Sequence, residues 1–286
     1  MTQPSSGLWR LTNGNSDTLD IALPNYPYGI QVSMAIDTQK LDDGSFDSFD
    51  NGTSYDKRSC ELSFDLSATQ ALALNAWVRT AGASYMRAAT GTLELATDSG
   101  FFPFGPDKTP EGPFTVAVEI TEPTTIQESP FKLFRVSMRV FNTGVYPAYV
   151  LPTEVDEGVW SFGSVTALRF PPRWFRPSSR FAYSIAREED GSVQFIDRGT
   201  GGDAYTSSIE MVCSENKAAA LLSYITGTVR TNTFVLTSIA GMYPFGRDLG
   251  DGAFTVSLTS PEFEVTHEQY NRFRLSAEVS YVSGPA

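Results

Sequence analysis

The 286-residue chain is 41% hydrophobic and only 19% charged, the balance of a folded protein with a real core, long enough for two ordinary domains or one large one. Its formal charge of −12 repels a phosphate backbone and argues against a general nucleic-acid binder. No apolar run of about 18 residues is present to span a bilayer as a helix, the opening MTQPSSGLW lacks the features of a secretory leader, and two cysteines are too few for a disulfide framework.

Along the chain, YGIQVSMAID alternates apolar and polar residues and leads to Asp43-Gly44-Ser45, a turn signal. A long hairpin is predicted there, with SFDSFDN as its less regular return strand. SCELSFDL alternates again and then gives way to helical spacing, where Leu72, Leu74, Trp77 and Val78 form an apolar stripe and Ser67 is the expected N-cap. After a further strand comes FFPFG, a loop in which Pro103 fixes one backbone angle, Gly105 permits an unusual one, and aromatics such as Phe104 pin the loop to the core. The strands PFTVAVEI and LFRVSMRV complete the pattern near residue 143. Residues 144–157, GVYPAYVLPTEVDE, contain two prolines and three acidic residues and suit a short, stiff linker.

The same landmarks then return in the same order. GLW at 7–9 answers GVW at 158–160, Pro24 answers Pro171, and Asp43-Gly44-Ser45 answers Asp190-Gly191-Ser192. Trp77 answers Tyr224 in a second helix, with Ser214 or Asn216 as its cap and Leu221, Leu222 and Ile225 as its stripe. FPFG answers Pro244-Phe245-Gly246 after Tyr243, and LFRVSMRV answers RFRLSAEV. The offset drifts from 151 to 139, as small length changes in loops would produce. The expectation is a mainly β chain built as a tandem duplication of a β-sandwich or half-barrel domain, 1–143 and 158–286, each copy with one flanking α-helix and a long hairpin.

Neither copy carries an obvious catalytic constellation. The single histidine, His267, is expected at a surface or interface rather than in catalysis, and no Cys or His pair has metal-ligand spacing. Glycine-rich RGTGGDAY lacks the Lys-Ser/Thr of a phosphate loop, and Cys60 and Cys213 suit small buried thiols. Asp42, Asp43, Asp47, Asp50 and Asp56 concentrate around the first hairpin, but their spacing departs from a calcium loop, and a solvated acidic hairpin is preferred. No enzyme activity, cofactor or metal is expected. The second copy contains Arg169, Arg173, Arg176 and Arg180 beside Trp174, where the first copy has no base at all. This cluster suits a protein interface, with arginine meeting carboxylate between copies or subunits, better than a phosphate site.

With its two Pro-Phe-Gly loops, its tandem arrangement and the strand-to-helix segment YDKRSCELSFDLSATQALALNAWVRT, the chain resembles the tail-tube and distal-tail families of tailed bacteriophages. That resemblance implies a structural virion protein of the tail, assembled in the host cytoplasm. It implies a trimer that mimics a sixfold ring, self and other tail proteins as partners, no membrane, and DNA as non-specific cargo in the lumen. The Asp43–Ser45 and Asp190–Ser192 hairpins would serve ring stacking. The alternative is a carbohydrate- or protein-binding module with Trp9, Trp160 and Trp174 as stacking platforms, although the matched places of Trp9 and Trp160 favour a structural role.

Overall fold

The computed structural model describes residues 8–284 apart from 14, 23, 41–45, 54–55, 81–88, 96–100, 110–111, 122, 128–132, 147–150, 152–157, 159, 169–175, 181–182, 188–192, 198–203, 231, 239–241, 247–248 and 270. The first half contains β1 (Leu8–Asn13), β2 (Thr18–Ala22), β3 (Tyr28–Ser33), β4 (Ile36–Lys40), β5 (Phe46–Asp50), β6 (Lys57–Ser67), α1 (Ala68–Thr80), β7 (Ala89–Leu95), β8 (Phe114–Ile120), β9 (Thr124–Gln127) and β10 (Leu133–Asn142). The second contains β11 (Trp160–Phe162), β12 (Val165–Leu168), β13 (Arg176–Arg180), β14 (Tyr183–Arg187), β15 (Val193–Asp197), β16 (Ala204–Cys213), α2 (Glu215–Tyr224), β17 (Phe234–Thr237), β18 (Ala253–Leu258), β19 (Glu262–Gln269) and β20 (Arg272–Ser283). A single π turn, Ile225–Val229, extends α2.

The protein is mainly β. Its strands pair antiparallel into one 16-stranded sheet, with β4–β5 and β14–β15 as separate two-stranded ribbons. In the first half the neighbours run β2-β1-β7-β8-β10-β6-β3, and β9 shares the β8 edge of β10. In the second they run β12-β11-β17-β18-β20-β16-β13, and β19 shares the β18 edge of β20. Apart from the β3–β19 pairing, each strand of the first run thus has a counterpart with corresponding neighbours in the second. Registers agree as well: Val140, Met138 and Val136 face Cys60, Leu62 and Phe64, while Val279, Ala277 and Leu275 face Ser207, Ile209 and Met211. Both β9 and β19 carry a register shift at the same place relative to the long strand beside them.

Alternation explains these strands. In β6, Cys60, Leu62, Phe64 and Leu66 are buried while Glu61, Asp65 and Ser67 are exposed, so a single face seeks cover. That cover comes from the helices, since α1 packs on β2, β6 and β10, and α2 on their counterparts β12, β16 and β20. Ser67 caps α1 reciprocally: Gln70 N–H donates to Ser67 Oγ at 3.3 Å, and Ser67 N–H donates to Gln70 Oε1 at 3.0 Å. Ser214 occupies the N-cap of α2.

The buried stripe of α1 differs from expectation by one residue. Ala71, Leu74, Trp77 and Val78 face the core, whereas Leu72 is 69% exposed. At 3.6 residues per turn, Ala71, Leu74 and Val78 share a line that Leu72 misses by about 100°. The predicted strand YGIQVSMAID is likewise two strands. It breaks at Met34-Ala35, where Ala35 N–H turns to Asp56 Oδ1 at 2.7 Å. Both predicted hairpins have paired arms, Ile36 to Lys40 with Asp50 to Phe46 and Tyr183 to Arg187 with Asp197 to Val193. Their turns, Asp43-Gly44-Ser45 and Asp190-Gly191-Ser192, lie outside the described residues, as does most of the linker 144–157.

Candidate assembly interface

The two halves meet strand to strand. β3 runs antiparallel to β19, from Ser33 opposite Glu262 to Tyr28 opposite His267, so one sheet passes through the joint unbroken. Each strand brings an apolar face to the same side: Tyr28, Ile30 and Val32 from β3 and Phe263, Val265 and His267 from β19 are all buried. Met34 N–H donates to the Pro261 carbonyl at 3.0 Å and sets the phase of the ladder. The hydrogen-bonded pairs are therefore Val32 with Phe263, Ile30 with Val265, and Tyr28 with His267.

Tyr28 and His267 form the polar centre of this seam. Tyr28 Oη lies 2.6 Å from His267 Nδ1 and accepts the Phe102 N–H at 3.0 Å. One hydrogen bond thus joins the phenol to Nδ1, its donor set by the imidazole tautomer. Burial pulls the His267 pKa from 6.5 to about 4, opposed by a backbone hydrogen bond at Gln269, and burial also pushes the Tyr28 phenol well above its ordinary 10. His267 stacks on Phe273 with centroids 4.1 Å apart, and Tyr28 stacks on Phe101 at 5.5 Å. The expected surface or interface histidine is thus at an interface but fully buried, because its ring occupies an inward position of β19.

The first Pro-Phe-Gly loop belongs to this seam. Phe102 meets Phe273 of the second half edge-on at 5.8 Å. A Cβ added to Gly105 would stand 2.6 Å from Leu222 Cδ2 of α2, and φ is +108°, so only glycine lets the loop lie against that helix. Gly246 repeats the conformation with φ of +97° but faces open space. Both loops close with the same turn bond, Gly105 N–H to Phe102 O at 3.3 Å and Gly246 N–H to Tyr243 O at 3.2 Å. Pro103, Phe104, Pro244 and Phe245 are all buried.

The two loops are pinned differently. Arg58 of β6 donates to the two Asp107 oxygens at 2.6 and 2.8 Å and to the Phe104 carbonyl at 2.7 Å. Its guanidinium also lies 5.7 Å from the Tyr146 ring centre. In the second half the register puts Tyr205 at the Arg58 place, and an aromatic cluster of Tyr205, Phe245, Phe254 and Tyr281 holds the loop instead.

A charged clamp adds a second link between the halves. The π turn ends at Arg230, which takes a left-handed φ of +32° and directs its side chain into the first half. Arg230 Nε and Nη2 donate to the two Asp50 oxygens at 2.6 Å each, and Nη1 donates to Asp56 Oδ2 at 2.8 Å. The strained backbone costs about 1–3 kcal/mol, and this cluster of charge-assisted bonds holds it. The hydrogen bond from Arg230 also lowers the Asp50 pKa. Asp50 and Asp56 of the acidic hairpin are therefore engaged by an arginine, and no metal-holding group of three His, Cys, Asp or Glu side chains occurs among the described residues.

An arginine-to-carboxylate contact between halves is thus made by Arg230, which sequence patterning did not single out. Of the predicted cluster, Arg169, Arg173 and Trp174 lie outside the described residues, Arg176 is exposed at the start of β13, and only the backbone of Arg180 is described. Trp9 and Trp160 are buried at matching places in β1 and β11 and cannot stack on a ligand. Cys60 and Cys213 are buried and stand outside any disulfide.

Opposite the helices, the sheet presents a polar face that is continuous across the seam. Over β3, β6, β8, β10, β16, β19 and β20 it holds eight carboxylates, Glu61, Asp65, Glu119, Glu210, Glu262, Glu264, Glu268 and Glu278, against five cations, Lys57, Arg135, Arg139, Arg272 and Arg274. Cross-strand pairs tie some of these together, Arg135 to Asp65 at 2.9 Å and Arg274 to Glu210 at 3.0 Å among them. No protein-family model matches the chain, and no curated protein matches it in sequence.

Proposed function

We propose that this chain is a structural protein of a phage-type tail, that its halves are copies of one tail-tube-like domain, and that three chains close into a pseudo-sixfold ring of the tail tube or its distal, baseplate end. The observation that carries this reading is the seam. Halves with the same strand order are joined by two different edges, β3 of one and β19 of the other. A contact between unlike surfaces leaves one copy of each surface unused, so it can repeat from chain to chain and close when the rotation permits. A polar face with more carboxylates than cations, turned inward, would let DNA slide without adhering. The β4–β5 and β14–β15 ribbons, which stand apart from the main sheet, would engage neighbouring rings or other tail proteins.

Sedimentation velocity and negative-stain imaging of the purified chain test this proposal. Rings with a lumen wide enough for duplex DNA, forming as concentration rises, are expected. Removing residues 41–45 should leave rings that no longer stack. A chain that stays monomeric at every concentration and binds glycans would sink the proposal.

A further inference from the structure

We propose that neighbouring chains join by repeating the internal seam, β9 of one copy lying antiparallel along the outer edge of β13 in the next. This rests on the head-to-tail ring proposed above and assigns its interface. Strand correspondence identifies the two edges. β13 pairs with β16 as β3 pairs with β6, and β9 pairs with β10 as β19 pairs with β20. Inside the chain β19 covers β3, whereas neither β9 nor β13 has a second strand neighbour among the described residues. A second copy supplies the missing partner for each, with no surface left over in a closed ring.

The surfaces beside these edges agree. Phe102 and Phe273, which meet at the seam, are 5% and 0% exposed. Their counterparts Tyr243 and Phe134 are only half-buried, and Ile126 on β9 is 43% exposed. Residues sealed at the internal joint are thus incompletely covered at the outer edges, as they would be in a chain lacking its neighbour.

Register transfer adds a specific feature. Ile30 of β3 corresponds to Pro177 of β13, since they face Cys60 and its counterpart Ser207. Thr266 and His267 of β19 correspond to Thr124 and Thr125 of β9, which puts Pro123 at the place of Val265. Ile30 and Val265 form a hydrogen-bonded pair, so Pro123 and Pro177 would meet with neither N–H available. Proline on an exposed edge deters indiscriminate strand addition. The joint between chains therefore has the internal geometry with one pair of hydrogen bonds removed, and it forms only at higher concentration.

Two sets of variants test this. Pro123→Val with Pro177→Ile restores the internal seam's residues, and the concentration at which the chain associates should fall roughly tenfold in sedimentation velocity. Thr124→Cys with Arg176→Cys places thiols at a non-hydrogen-bonded pair, and mild oxidation should give disulfide-linked multimers on a non-reducing gel, while Thr69→Cys on the exposed face of α1 with Arg176→Cys gives none. Rings that assemble without the Thr124–Arg176 cross-link, and with an unchanged midpoint in the proline variant, would overturn this interface and leave the ring intact. A chain that stays monomeric even with both prolines replaced would overturn the interface and the ring together.

Discussion

Replacing Arg58 by Met isolates what the buried ion pair contributes to the seam loop. The guanidinium and the Asp107 carboxylate are 3% and 2% exposed, and Arg58 also satisfies the Phe104 carbonyl. Breaking a buried pair from one side costs about 3–5 kcal/mol because the remaining charge loses its partner, and the orphaned carbonyl adds about 1 kcal/mol or more. Lys108 Nζ, 3.5 Å from Asp107 Oδ2, offsets part of this loss. Arg58→Met should therefore destabilise the fold by about 4 kcal/mol in urea unfolding followed by tryptophan fluorescence. Arg58→Met with Asp107→Leu removes both charges and should cost less than Arg58→Met alone, with a coupling of about 2 kcal/mol. A single variant costing under about 1 kcal/mol, or a double variant costing the sum of its parts, would refute an ion pair that acts as a unit.

Arg230→Met should lower stability by about 2 kcal/mol, discounted because Asp50 is 34% exposed, and should speed hydrogen exchange in β4, β5 and β19 ahead of β1 and β2. His267 is held neutral in the fold while the unfolded chain takes up its proton near pH 6.5, so stability is present above that pH and is lost as pH falls toward about 4, by about 3 kcal/mol in all. Denaturant midpoints from pH 7 to 4 should show that slope, and His267→Gln should flatten it. Gly105→Ala should cost about 2 kcal/mol or more, since the new methyl meets Leu222, whereas Gly246→Ala should cost about 1 kcal/mol from its backbone angle alone; equal thermal shifts would contradict the close approach at the seam. Leu72→Glu on the open face of α1 should change stability by no more than about 0.5 kcal/mol.

Features confined to one element were legible in the sequence. Alternation in SCELSFDL gives β6, Ser67 gives the α1 cap, and the recurrence of Pro-Phe-Gly marks two loops of one conformation. Long-range edge pairing was not legible, because Tyr28 and His267 are 239 residues apart and any alternating strand could offer the same face. Burial of His267 follows only from that pairing. Arg230 gave no signal either: its partners Asp50 and Asp56 lie 180 and 174 residues away in sequence, and an isolated arginine near a helix end usually points to solvent. Pro123 and Pro177, which the proposed joint would bring face to face, are related only through the registers of four strands.

In the proposed ring, the internal joint and the joints between chains would differ in strength. A linker between halves holds β3 and β19 at an effective concentration near the millimolar range, so the internal joint would close even if it were weak. Yet this tethered joint has the full ladder, the Tyr28–His267 bond and the Arg230 clamp, while the edges of β9 and β13, unpaired among the described residues, have Pro123 and Pro177 at the corresponding places. Strength thus lies where closure is already assured, and weakness where, in the proposed ring, it would depend on other chains. A subunit arranged this way folds as one body at low concentration and avoids open-ended strand addition. In the proposed ring it would commit only when several weak joints form together, since closing the last joint of a trimer would engage two edges already held in place.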